Sequence, residues 1–161
     1  MVKRCAAAVI AAAVLAATAE AAGPRAALFT KGYNLCRAAS LSAVRKAGGQ
    51  PYRAGQYADG VCTWTSADLQ AGAALATHPA AAGASLIKSF LSQNGTNGIV
   101  ARRLSVRGAR AALLVTMPSQ QGRGTRYLFA SYKAGTIQIN VTAPGVVAKA
   151  RVLALLAVIA R

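Results

Sequence analysis

Carboxylates are nearly absent from this chain. Glu20, Asp59 and Asp68 are its only acidic side chains in 161 residues, and His78 is its only histidine. Enzyme sites are normally built from positioned acids, bases and nucleophiles. With so little to build from, the expectation is a protein that is not an enzyme. The few such residues also have plain structural explanations. Asp59 precedes Gly60, and Asp68 follows Ser66-Ala67. Both are turn positions, where Asp bonds to nearby backbone. His78 precedes Pro79 and reads as a loop or helix-entry residue. No nucleophile-elbow pattern supports a Ser/His/Asp group. Gly122-x-Gly124 is too short and misplaced for a phosphate loop. A hydrolase is retained only as the least favoured class.

Long apolar runs are scarce as well. Cys5 to Thr18 is an unbroken run of small apolar residues, preceded by Met1-Val2-Lys3-Arg4 and followed by Ala19-Glu20-Ala21. A basic start, an apolar middle and an A-x-A end make a secretory signal, with cleavage after Ala21. A retained anchor is the competing interpretation, but spanning a bilayer takes about 20 apolar residues. Residues 1–21 are therefore expected to be a signal peptide and 22–161 a single secreted domain. Its apolar content is mostly Ala, and aromatics make up only 6% of the chain. Large core-forming side chains are limited.

Cysteine is sparse. Removal of the leader leaves Cys36 and Cys62. An even count in a small exported domain reads as one disulfide. Closing that loop contributes about 3–4 kcal/mol on chain-entropy grounds. Metal binding competes for Cys, yet two Cys and a distant His78 fall short of a typical ligand set. No metal and no cofactor are expected.

The elements follow from periodicity and punctuation. Ser40 is an N-cap for a short helix over about 41–47, stopped by Gly48-Gly49 and Pro51. Val61 to Thr65 reads as a strand, with a weaker return strand from Leu69 to about Thr77. A helix covers about 80–93, with Pro79 at its entry. Four strand-like runs follow at 99–106, 110–117, 125–133 and 136–142, with a loop over Pro118–Gly124. The last alternates most cleanly: Ile137, Ile139 and Val141 point one way, Gln138, Asn140 and Thr142 the other. Residues 146–161 form a final helix, apolar nearly all round, lying on the sheet. The fold class is α+β: an antiparallel sheet, a hairpin plus a four-strand meander, covered on one face by helices.

Cys36, Ser40, Leu41, Val44 and Gly48-Gly49, followed by Cys62-Thr63-Trp64, form a pattern with family character. It resembles the small exported proteins of actinobacteria, many of them lipoproteins, whose domain has no assigned function. The order of strands and helices is similar to the PsbP-like fold. The motif covers residues 36–64; beyond it the match is in order of elements. The resemblance implies a disulfide and a fold, and no catalytic residues. Two departures stand out. No lipidation Cys sits at the cleavage point, and Arg45 and Lys46 replace acids common in such helices.

The surplus of positive charge is the strongest functional signal. The formal net charge is +16, which attracts polyanions. A charge serving only solubility is the bland alternative. Arg102, Arg103, Arg107, Arg110, Arg123, Arg126 and Lys133 lie on the four strands or their loops. If they share a face they bind phosphate or carboxylate, with Tyr127 or Tyr132 available for stacking; otherwise they are a solvated sheet edge. Trp64, two residues from Cys62, is expected in the core beside the disulfide. The expected function is a secreted, monomeric, non-catalytic binding module for a cell-envelope protein or anionic polymer. Nucleic acid is a partner only outside the cell. The alternative is a basic protein making peripheral membrane contact through its C-terminal helix.

Overall fold

The computed structural model describes residues 26–161; the expected signal peptide and its cleavage site lie outside them. One seven-stranded antiparallel sheet organises the molecule. Its strands are β1 (Gln56–Ala58), β2 (Val61–Thr65), β3 (Gly72–His78), β4 (Val100–Leu104), β5 (Ala111–Gln120), β6 (Arg123–Ser131) and β7 (Thr136–Pro144). Three helices accompany it: α1 (Leu41–Gly48), α2 (Ala80–Ser92) and α3 (Lys149–Ile159). The strand order is β1-β2-β3-β7-β6-β5-β4. β3 pairs with β7 from Gly72↔Thr142 to His78↔Thr136, which joins the first hairpin to the later strands. α2 carries the chain from β3 to the far edge at β4.

Local chemistry sets the element ends. The Ser40 hydroxyl accepts from the Ala43 N–H at 3.2 Å and caps α1. Gly49, at φ 63°, closes it by donating its N–H to the Arg45 carbonyl. That left-handed conformation suits glycine. Position 118 holds the one proline inside β5, and the β5–β6 register shifts between Met117 and Gln120. Proline cannot donate to the ladder and is tolerated at such an irregularity.

The core lies on both sides of the sheet. On one face, Leu114, Leu128, Ile137, Ile139 and Val141 pack with Val44 of α1 and with Val152, Leu155, Leu156 and Ile159 of α3. On the other, Leu113, Val115 and Phe129 pack with Ile87 and Phe90 of α2. The helices thus cover both faces, which corrects the expectation of one covered face. β5 shows the cause: Ala112 to Val115 are all buried, so each side of that strand needs a cover. The apolar residues of α3 turn inward onto the sheet, and no described helix is long and apolar enough to cross a membrane.

Cys36 and Cys62 form a disulfide closing 26 residues of chain, with Cα atoms 5.1 Å apart. The bond fits an extracytoplasmic protein. Trp64 is buried, as expected. A Cβ built on Gly55 would sit 2.7 Å from Trp64 Nε1 and 2.8 Å from each disulfide sulfur. The backbone at Gly55 therefore lies against tryptophan and disulfide together. Gly55→Ala is expected to destabilise by about 1–3 kcal/mol through overpacking, read as a lower urea midpoint.

Several boundaries differ from those expected; the last helix begins at Lys149 and not at residue 146. The Pro118–Gly124 loop is instead the end of a hairpin: β5 runs to Gln120, β6 starts at Arg123, and only Gln121 and Gly122 turn, at φ 51° and 73°. Two consecutive positive φ values match a type I′ turn, whose twist suits a hairpin. Leu69 is not in the return strand. It sits in the β2–β3 turn at φ 59°, and the strand begins at Gly72. The short edge strand β1 and the turns at 26–29 and 35–37, which bury Leu28 and Leu35, were not expected.

Candidate functional site

Alternation along the strands distributes the arginines. Arg102 pairs opposite Leu114 and therefore projects from the face that carries α3. Arg126 pairs opposite Thr116 on one side and Val141 on the other, which places it on the same face. The two arginines line one cleft of about 390 Å³ with Lys149, the first residue of α3. Val100, Leu104, Leu114 and Thr116 complete the lining. The cleft thus holds three cations and no carboxylate.

Two features of the cleft are electrostatically unusual. Arg126 Nε is buried and has no hydrogen-bond partner. A buried donor left unpaired is costly, more so when charged. Lys149 stands at a helix N-terminus, where the backbone dipole disfavours a cation. The α3 N-cap is Ala148, with no side-chain cap. Free N–H groups in that first turn add to the positive field. An anion bound here would relieve the mutual repulsion and offer Arg126 an acceptor.

The remaining basic positions are dispersed. Arg103 faces away from Arg102, opposite Leu113, on the α2 side. Arg107 and Arg110 are exposed between β4 and β5, and Lys133 is exposed between β6 and β7. Arg123 lies on the face opposite Arg126, where its Nη2 donates to the Leu69 carbonyl at 3.0 Å. The aromatic partners considered for stacking are occupied. Tyr132 is buried, and Tyr127 stacks on Phe90 with centroids 5.9 Å apart.

The sequence-level set therefore contributed Arg102 and Arg126 and missed Lys149. A lysine opening a helix is a local conflict, the kind of position that often marks function.

His78, Asp59 and Asp68 are held by local structure. His78 ends β3, and its Nε2 lies 2.7 Å from Gln138 Oε1. Asp59 is an exposed turn residue at φ 49°. Asp68 orders the β2–β3 turn. Its Oδ1 accepts from the Ser66 hydroxyl at 2.5 Å and from the Gln70 N–H at 3.0 Å. The Ser66 oxygen in turn accepts the Ala71 N–H at 2.9 Å.

The Ser66 bond first, and the Gln70 N–H second, hold the Asp68 carboxyl below its ordinary value of 3.8, with a smaller contribution from Arg123. Such a group stabilises the fold above its unfolded-state value, and that stabilisation is lost as pH falls through the folded value. Urea midpoints are therefore expected to stay level down to about pH 4 and to decline below it. Asp68→Asn should remove the decline. A decline that persists in the variant would place its source elsewhere.

No known family matches this chain, and no curated protein is similar to it.

Proposed function

We propose that the chain is an exported, non-catalytic binding module of PsbP-like fold that takes up an anionic polymer of the cell envelope. The Arg102–Arg126–Lys149 cleft is the point of engagement. The observation that carries this reading is three cations lining one cleft without a counter-charge, one of them with a buried donor lacking an acceptor. Arginine is suited to phosphate and carboxylate because its planar fork bonds two oxygens at once. A polymer is favoured over a lipid surface because the large apolar side chains Val152, Leu155, Leu156 and Ile159 of α3 are packed into the core.

Dependence on salt tests this directly. Binding through three cation contacts to a densely charged polyanion releases counterions, and log K should fall against log[salt] with a slope of about −2 to −3. Arg102→Ala and Arg126→Ala should each reduce the slope by about 1. Arg103→Ala and Lys133→Ala, which remove charge elsewhere, should leave it nearly unchanged. Polyphosphate and an anionic wall polymer, measured by fluorescence anisotropy, serve as probes. Equal effects from all four variants would mean that net charge alone attracts the polymer.

A further inference from the structure

A second cleft, of about 660 Å³, lies on the opposite face of the sheet, beside the part that α2 covers. Alternation again explains it. Thr63 and Thr65 of β2, Asn140 and Thr142 of β7 and Thr125 of β6 share this face. Gly72 and Ala74 of β3 lie between them and keep the floor low. The cleft is closed at one end by a strap. Arg123, at the start of β6, reaches past β7 to bond the Leu69 carbonyl in the β2–β3 turn. That turn is itself fixed by the Ser66–Asp68 bonds.

Two groups in this cleft are buried without partners: the Nε of Arg123 and the Oδ1 of Asn140. One is a charged donor and the other an acceptor. A ligand that satisfies both must bring an acceptor and a donor. The other polar groups of the lining are threonine hydroxyls and glutamine amides, which donate and accept alike, set around a floor of Ala71, Gly72, Ala73 and Ala74. The only large apolar side chain is Leu69, 63% exposed on the rim. An apolar ligand would find only the small alanine and glycine floor and Leu69 on the rim, and a polyphosphate would find only one cation.

We infer that this cleft is a saccharide site that takes a sugar unit carrying one carboxylate. The carboxylate meets the Nε edge of Arg123, whose plane is oriented by the Leu69 carbonyl. The ring hydroxyls meet Asn140, Thr63, Thr65 and Thr142. This site is separate from the cation cleft on the other face and does not depend on it.

Amide NMR titration of the oxidised protein tests the assignment, with glucuronate, glucose and inorganic phosphate as probes. Glucuronate should shift Thr63, Thr65, Asn140 and Thr142, and bind about tenfold more tightly than glucose, the scale of a charge-assisted hydrogen bond. Arg123→Gln should abolish that preference while leaving polyphosphate binding at the cation cleft intact. Gly72→Ala is a second, steric variant. A Cβ at Gly72 meets nothing closer than the Trp64 carbonyl oxygen at 3.6 Å, so the fold accepts it while the floor rises. It should weaken glucuronate and glucose alike. Overturning results are the absence of glucuronate shifts at those residues, phosphate binding there as well as glucuronate, or an Arg123→Gln variant that keeps the preference.

Discussion

Replacing both Cys36 and Cys62 with alanine is expected to lower the unfolding free energy by about 3–4 kcal/mol. For a domain of this size that corresponds to a fall in melting temperature of about 10–15 °C. The disulfide closes 26 residues, and the segment it closes contains α1, β1 and the start of β2. It therefore ties α1 and the edge of the sheet together. The edge strand of that segment, β1, is only three residues long. Cys62 is fully buried, so alanine there also leaves space beside Trp64 and adds to the loss. Dithiothreitol on the native sequence should reproduce most of the effect in a thermal melt. A reduced protein melting within 2–3 °C of the oxidised one, by the same relation, would remove the staple from the account.

Gly83→Ala is expected to cost about 3 kcal/mol or more, at the upper end of overpacking. Gly83 lies on the buried side of α2, directly against Thr136 of β7. A Cβ there would overlap both the Oγ1 and the Cβ of Thr136, which is itself fully buried. Neither partner can rotate away, because one is a helix backbone and the other a central strand. The helix must lift, and Ile87 and Phe90 lift with it from Leu113, Val115 and Phe129. Thr136→Gly should recover part of the loss. A double-mutant cycle by urea unfolding is expected to show coupling of at least about 1 kcal/mol, as for residues in contact. Additive effects would mean that the two positions do not meet.

Several elements were legible because local chemistry and tertiary packing agree there. Ser40 and Gly48-Gly49 bracket α1, and the structure uses Ser40 and Gly49 as caps. Val61–Thr65 is a strand in sequence and in space, as its β-branched and aromatic content requires. Other elements were hidden for identifiable reasons. The strand pattern around Leu69 is overridden by the Ser66–Asp68–Ala71 hydrogen bonds, a network of side chain with backbone. Pro118 and two glycines suggested a loop, yet a register irregularity absorbs the proline and a two-residue turn takes one of the glycines. That α2 crosses to the other face is decided by connections in space, which periodicity does not encode.

The same division applies to the sites. Arg102 and Arg126 were visible as basic residues on strands, but their convergence depends on register. Lys149 reaches them only because α3 docks on that face. Arg123, three positions from Arg126, belongs to the other face by alternation alone. The cleft lined by Thr63, Thr65, Asn140 and Thr142 left no mark in the sequence beyond ordinary half-polar strands.

One comparison isolates the central claim, that anions are held by the Arg102–Arg126–Lys149 cleft and not by overall charge. The variant is Arg126→Gln combined with Ser92→Arg. It moves one positive charge from the cleft to an exposed position at the end of α2, on the far side of the sheet, and leaves the net charge at +16. Polyphosphate affinity is then measured at fixed salt, with thermal unfolding to establish that the fold persists. A fall of about tenfold or more is predicted, the scale of one charge-assisted hydrogen bond lost. Unchanged affinity in a folded variant would contradict the claim and leave the protein a general polycation.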